Sequence, residues 1–314
     1  WVVSDWMVVA GGLTASAGDS GVPLPRSPPP MSDPSDFLDN SPGAKTPGRS
    51  LAKLRAALSS ANSDEELQLL IKEVGEDPRI GAQQLANRAR GLIQARAAER
   101  NRMADLLFLR DELVEGGVRG IAAIDEVGVG PLAGSVVAAA VILPEDFALE
   151  GLNDSKKVPK ARRERLAAEI REVAIGIGIG ELTSEEIDQR GIYQAALEAM
   201  RRAVASLQRV AEVGHLLVDA RTVPGVDLPQ TPIIRGDSKD ASIAAASIVA
   251  KVYRDAQMAA LGVRYPAYGF ERHMGYGTAE HVAALKEYGP CPIHRRSFAP
   301  VEEAERLHGG SRES

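Results

Sequence analysis

One cysteine, Cys291, stands among 314 residues, so no internal disulfide is possible. No set of Cys and His has zinc-site spacing, and a cytoplasmic location, in a reducing compartment, is the expectation. Long apolar runs are also wanting. The longest, PLAGSVVAAAVILP at 131–144, is shorter than the roughly 18–20 residues of a spanning helix, so a buried strand is expected there and no membrane association. Excess positive charge is absent: a formal net charge of -6 excludes a strongly basic nucleic-acid-coating protein, although a local basic surface remains compatible with it. The opening WVVSDWMVVAGGLTASAG carries Asp5 and no basic leader, so a secretion signal is not expected. A first residue of Trp makes Met31 the expected biological start, with upstream read-through before it.

What is present suits one large domain with an appendage, since 44% of residues are hydrophobic and 25% charged. Residues 1–49 are dense in Pro, Gly, Ser and Asp and lack apolar periodicity, which predicts a disordered tail. Within it GDSGVPL, Gly18 to Leu24, echoes the loop around a serine-protease nucleophile, but no rigid frame or histidine partner accompanies it. Residues 50–116 read as a helical extension. Ser63 and Glu66 have capping-box spacing, Leu67, Leu70, Ile71 and Val74 share one face, and Gly75 stops the helix. A second helix is expected to start after Asp77-Pro78 and to end at Gly116-Gly117. Its arginines, Arg88, Arg90, Arg96, Arg100 and Arg102, read more readily as a solvated face than as a phosphate track.

From 117 to 302 the texture is mixed α/β. RGIAAIDE, GSVVAAAVIL and VAIGIGIGEL read as a meander of three strands, HLLVDA and TPIIRGD as two buried strands, and ASIAAASIVAKVYRDAQMAAL as a small-residue helix packed on the sheet. The glycines at 176, 178 and 180 lack dinucleotide spacing and read as structural. Residues 303–314 read as a flexible tail. Acids recur where core strands end: Asp125 with Glu126, then Asp219, then Asp237. If those strands are neighbours, the carboxylates converge on one rim. They then repel one another unless a cation such as Mg²⁺ or Mn²⁺ neutralises them. Strict alternation would send Asp125 and Glu126 to opposite faces, so the chain is expected to bend or leave the ladder there, helped by Gly128 and Gly130.

IDEVGVGPLAGSVVAAAVIL, LNDSKK, LLVDA, IIRGDSKDASIAAASIVAKVYRD, YPAYGFERHMGYGTAEH and IHRRSFAPV resemble, in order, the motifs of the ribonuclease HII family. The resemblance covers about 117–301 and implies a ribonuclease H-like mixed sheet flanked by helices, with a C-terminal helical part. Residues 50–116 are similar to an N-terminal helical extension of some members, which helps hold duplex. The implied activity is metal-dependent endonucleolytic cleavage of the RNA strand of RNA–DNA hybrids. It includes cleavage 5′ of a single ribonucleotide in duplex DNA, leaving 5′-phosphate and 3′-hydroxyl ends. Carried over, Asp125, Glu126, Asp219 and Asp237 are the catalytic acids and the ligands of a two-metal Mn²⁺ or Mg²⁺ site. Gly128, Val129 and Gly130 form the turn whose backbone senses the ribose 2′-hydroxyl. Tyr276 packs on the sugar, and Lys156 and Lys239 face phosphates. The implied setting is DNA replication and repair. A monomer is expected, and the segment after Val301 has no sliding-clamp motif.

Three positions depart from the family pattern. Val129 stands where arginine is usual, Met274 where lysine is usual, and Asp240 where serine is frequent. Together they remove two positive charges and, through Asp240, add a negative one near the expected cleft, which implies weaker substrate binding and a shallower salt dependence. The alternative reading is a catalytically weakened relative that binds hybrid duplex without efficient cleavage. Ribonuclease HIII is a third reading, set lower because the four acids follow the HII pattern. His281 and His294 read as structural rather than metal ligands.

Overall fold

The computed structural model describes residues 49–309 apart from 76 and 148. The expectations for the first 48 residues, the Met31 start and the Gly18–Leu24 segment among them, lie outside the described residues. The chain divides between Asn101 and Arg102 into two compact units.

In the first unit, α1 (Leu51–Ser60) is capped by the Ser50 side chain on the Lys53 amide. The capping box Ser63–Glu66 opens α2 (Asp64–Val74). Its apolar stripe, Leu67, Leu70 and Val74, is buried with Leu54 and Leu58 of α1 and with Ala82, Leu85, Ala86 and Ala89 of α3 (Ile80–Glu115). No separate sequence signal marks α1. The arginine reading favours local use: Arg96 and Arg100 pair with Asp64 at 3.3 and 3.0 Å, and Arg90 bonds Asn87 at 2.8 Å. Helix α3 stops before Gly116-Gly117, as the glycine pair predicts.

The second unit is built on a five-stranded mixed sheet ordered β3-β2-β1-β4-β5. β1 (Ile121–Val127), β2 (Val136–Ile142) and β3 (Gly176–Leu182) are the expected antiparallel meander. β4 (His215–Asp219) and β5 (Gln230–Ile233) then add in parallel to β1. Parallel pairing sends the C-terminal ends of β1, β4 and β5 to one rim, which is what the strand-end acids require. Helix α4 (Lys160–Val173) and α7 (Ala241–Arg264) pack on one face, where Val137, Ala139 and Val141 meet Ala245, Ile248 and Val249. Between β3 and β4 lie the short α5 (Ser184–Arg190) and α6 (Ile192–Leu207), and α6 covers the other face. The glycines of β3 are explained by that contact: a Cβ at Gly178 would lie 2.2 Å from the Ala203 carbonyl oxygen, and one at Gly180 1.9 Å from that of Ala199. α8 (Phe270–His273), α9 (Ala279–Tyr288) and α10 (Ala299–Gly309) form the C-terminal helical part. Helix α10 carries the chain beyond 302, where a flexible tail was expected, because Val301 and Ala304 are buried against Leu132 and Leu285.

The close seating of α6 on β3 leaves no room for a methyl at 180, so Gly180→Ala should cost about 1–3 kcal/mol or more by overpacking. Gly91→Ala on α3, whose added methyl meets nothing within 4 Å, should instead gain about 0.8–1 kcal/mol. Urea unfolding of both variants checks this; a Gly180 variant as stable as the parent would refute the packing account.

Candidate active site

The last β1–β4 pair is Ile124 with Val218, while β1 stays in register with β2 through Glu126 and Val127. The expected departure of β1 from the ladder at Asp125–Glu126 therefore occurs on the β4 side and not on the β2 side. What ends is the pairing with β4. Past that point the β4 side of β1 is open, and continuing the register by one residue sets Asp125 beside Asp219 across a strand spacing of about 4.8 Å. One carboxylate oxygen from each of Asp125, Glu126 and Asp219 lies within 4.8 Å of the other two.

Several contacts fix these groups. Asp125 Oδ1 accepts from the Glu126 amide at 2.8 Å, and the Ser247 hydroxyl of α7 favours the charged form of the same carboxylate. Ser247 Oγ is also 2.9 Å from Ser155 Oγ, which ties the NDSKK loop to the site. Asp219 Oδ1 accepts from the Gly236 amide at 2.6 Å. That bond places Asp237 next to it, in a single 3₁₀ turn just past β5. Asp237 is outside the three-oxygen cluster but within its field, since Asp154 and Asp219 both oppose its ionisation.

The electrostatics are those of crowded anions. Burial, then Glu126 and Asp219, push the Asp125 carboxyl well above the usual range. Burial also raises Glu126, with Arg221 and Lys156 acting against it, and burial raises Asp237 ahead of its acidic neighbours. Glu126 Oε2 is buried without a hydrogen-bond partner. A cluster of oxygen donors, mutually repelling and with one donor unsatisfied, fits hard divalent cations.

Of the other expected residues, the Lys156 ammonium acts on both Glu126 and Asp237. Lys239 is exposed, and no contact joins it to the cluster. Gly128 is buried, Val129 and Gly130 are exposed, and Tyr276 is 39% exposed. A Cβ at Gly130 would come 3.8 Å from the Tyr276 ring, so turn and tyrosine form one surface.

Two arginines that sequence reasoning passed over hold that surface from beneath. Arg254 of α7 and Arg295 are fully buried. Arg254 donates to the carbonyls of Ser135, Ala133 and Met274 at 2.8–3.0 Å. Arg295 donates to those of Gly134, Val129, Gly128 and Ser135 at 2.6–3.2 Å. A signal existed: Arg254 falls in step with buried Ser247, Ala250 and Met258 on one helix face. Behind Tyr276 runs a chain of neutral imidazoles. His281 Nδ1 donates to the Tyr276 carbonyl, so its Nε2 accepts from His294 Nε2, and His294 Nδ1 accepts from the Cys291 amide, each at 2.9 Å. Burial, then His281, lowers His294 to about 3, which keeps the chain neutral.

The three departures have different fates. Val129 is at the surface. Met274 is half-buried and packs with Met258, Tyr268 and Phe270. Asp240 is 1% exposed and caps α7, accepting from the Ser242 and Ile243 amides at 2.8 and 2.9 Å. The expectation that Asp240 places negative charge in the cleft is therefore corrected: the carboxylate is turned inward, onto the α7 amides and toward Arg110.

A rim of carboxylates built for divalent cations on a ribonuclease H-like sheet defines a class, the metal-dependent hydrolases of that fold. The model of the family described as Ribonuclease HII matches residues 122–301. Ribonuclease HII of Bacillus mycoides (strain KBAB4) is 49% identical over 240 residues, covering 76% of this chain and 91% of that protein. Ribonuclease HII of Geobacillus thermodenitrificans (strain NG80-2) is 54% identical over 228 residues, covering 73% and 87%. Among solved structures, ribonuclease H2 from Pyrococcus horikoshii OT3 superposes with a TM-score of 0.52 at 25% identity, covering 60% of this chain and 98% of that one. The chain belongs to the ribonuclease HII family, hydrolytic endonucleases of the ribonuclease H group.

Burial raises the Asp240 carboxyl to about 6, against about 3.9 when unfolded. The folded state then holds the proton more tightly, so this contribution to stability is fully present below about pH 4 and lost as pH rises through about 6. Asp240→Asn retains an acceptor oxygen for the cap. It should gain on the order of 1–3 kcal/mol over the parent at pH 8 relative to pH 4, read by urea unfolding at the two pH values; a gain independent of pH would contradict the burial account.

Proposed function

We propose that the chain is a metal-dependent endoribonuclease that cuts the RNA strand of RNA–DNA hybrids, including 5′ of a single ribonucleotide embedded in duplex DNA. The products carry 5′-phosphate and 3′-hydroxyl ends. The observation that carries this reading is the meeting of Asp125, Glu126 and Asp219 at one rim, with a buried oxygen of Glu126 left unpartnered.

In this reading Asp125, Glu126, Asp219 and Asp237 are the catalytic acids and hold Mg²⁺ or Mn²⁺. Two such ions, when bound, supply an activated water and relief of charge on the leaving 3′ oxygen. The protein's part is to hold the acids in a fixed, poorly solvated array, which Ser247 and the Gly236 amide do for Asp125 and Asp219. Lys156 stands at the mouth of the site, where it offsets carboxylate charge and meets a phosphate. Gly128, Val129 and Gly130 with Tyr276 form the surface that meets the ribose, and the 2′-hydroxyl is the group that separates RNA from DNA there. Lys239 extends the phosphate-facing surface. This activity belongs to DNA replication and repair in the cytoplasm, by a monomer. Among the described residues no helix is long and apolar enough to cross a membrane.

Retention of all four acids favours cleavage over the non-cleaving alternative; Asp240 is taken up in capping α7, while Val129 and Met274 both stand where the family usually carries a cation.

A duplex with one embedded ribonucleotide should be cut on its 5′ side in Mg²⁺ or Mn²⁺ and left intact in chelator. Asp125→Asn should lower turnover by about a thousandfold or more, with unchanged circular dichroism. Binding without cleavage by the parent, in either metal, would sink the enzymatic reading. Val129→Arg should tighten duplex binding and steepen the slope of log K against log salt by roughly one unit; a titration that leaves the slope unchanged would place residue 129 away from the phosphates.

A further inference from the structure

The loop from Gly128 to Ser135 joins β1 to β2, and six of the main-chain carbonyls in and beside it point inward. Those of Gly128, Val129, Ala133, Gly134, Ser135 and Met274 all accept from Arg254 or Arg295. Both guanidiniums are fully buried, and neither forms an ion pair among the described residues. Buried cations with no carboxylate in direct contact are costly to the fold, since acids farther off, Asp255 and Glu181 for Arg254 and Asp188 for Arg295, offset only part of their desolvation. A use that needs this geometry is therefore to be sought.

Peptide bonds in the described chain are all trans. In a trans peptide the N–H of a residue points opposite to the preceding C=O. With the Gly128 and Val129 carbonyls drawn onto Arg295, the amides of Val129 and Gly130 are turned away from it, to the exposed side that also carries Tyr276. Neither amide has a hydrogen-bond partner among the described residues. The two glycines are then distinguishable. Gly128 has φ +90, and a Cβ there would lie 2.3 Å from Arg254 Nε, so the arginine core requires it. Gly130 has no such demand, since the nearest atom to an added Cβ is Tyr276 Cε1 at 3.8 Å. Its bareness is left for something that approaches from outside.

We infer that Arg254 and Arg295 are positioning residues for ribose recognition: their carbonyl bonds aim the Val129 and Gly130 amides at the substrate's 2′-hydroxyl. This rests on the reading of the turn as the surface that meets the ribose. Arg254 also reaches Met274, one residue before Gly275-Tyr276, and the Leu132 amide bonds the Gly275 carbonyl at 2.8 Å. Turn and tyrosine are thereby set in one frame. Aiming from beneath leaves the side chain at 129 free to vary, which accommodates valine there.

Lysine keeps the charge but carries its three donors on one nitrogen and lacks the wide planar fork of arginine, so Arg254→Lys and Arg295→Lys test the aim. On a one-ribonucleotide duplex each should lower kcat by about 10- to 100-fold. Affinity for an all-DNA duplex of the same sequence, set by phosphates, should change less than about twofold. Should neither variant fold, amide NMR of the otherwise intact protein carrying Asp125→Asn decides: the Val129 and Gly130 signals should shift with the one-ribonucleotide duplex and not with its all-DNA counterpart. A parent that cuts no ribonucleotide-containing duplex would sink the functional reading and this inference together. A parent that cuts, beside folded lysine variants with undiminished preference for the ribose or amide signals indifferent to it, overturns the inference alone.

Discussion

The site depends on one feature of strand pairing: β1 runs on past the point where its parallel partner β4 leaves it. Up to Ile124 and Val218 the two strands share a ladder and bury apolar side chains. One residue later the same register brings Asp125 and Asp219 together, with Glu126 beyond them and Asp237 just past the end of β5. Charge that would be intolerable in the middle of the sheet is tolerable at its rim, provided a cation answers it. Strand order, the packing of α7 and the capture of Asp219 by the Gly236 amide all serve to keep that crowding in place.

Below the rim the polarity is reversed. The carboxylates want a cation, while Arg254 and Arg295 bring buried positive charge under the glycine loop, where carbonyls accept their hydrogen bonds and Arg295 also lies over the Phe298 ring. The two arrangements share helix α7, which carries Ser247 against Asp125 and, two turns on, Arg254 against the loop. One rigid element thus registers the chemical centre with the surface beside it. That is a physical reason for a long helix built from alanine and serine: small side chains let it seat closely on the sheet, so two distant contacts are held to one alignment.

Much of this was legible before the structure. The strand-end acids stand out because they interrupt apolar runs, and the Ser63–Glu66 spacing marks a helix start by the bonds such residues make. The glycines of β3 read as structural, and the Ala199 and Ala203 carbonyls give the reason. What was not legible shares a cause. Arginines in a sequence look solvated, so the burial of Arg254 and Arg295 shows only when helix phase and the loop carbonyls are considered together. Asp240 was misread for the opposite reason: a charge near a motif was taken to face the cleft, whereas its spacing to the Ser242 and Ile243 amides makes it a cap. Which of its two ladders β1 leaves at Asp125 was not legible, because alternation along one strand says nothing of where each neighbour stops.

The imidazoles described behind Tyr276 bear on which ions such a protein accepts. All five histidines have a ring nitrogen committed to a partner: His281 and His294 as described, His273, stacked on His281, to the Tyr268 carbonyl, His215 to Thr231 and His308 to the Lys286 carbonyl. The sole thiol is buried and held protonated, its titration pushed up to about 11. Nitrogen and sulfur donors are what let copper and zinc outcompete harder ions. Neither histidine nor cysteine belongs to the acid cluster, so the rim offers oxygen alone, and the scarce, strongly binding metals lose the advantage that would otherwise let them displace the abundant, weakly binding ones.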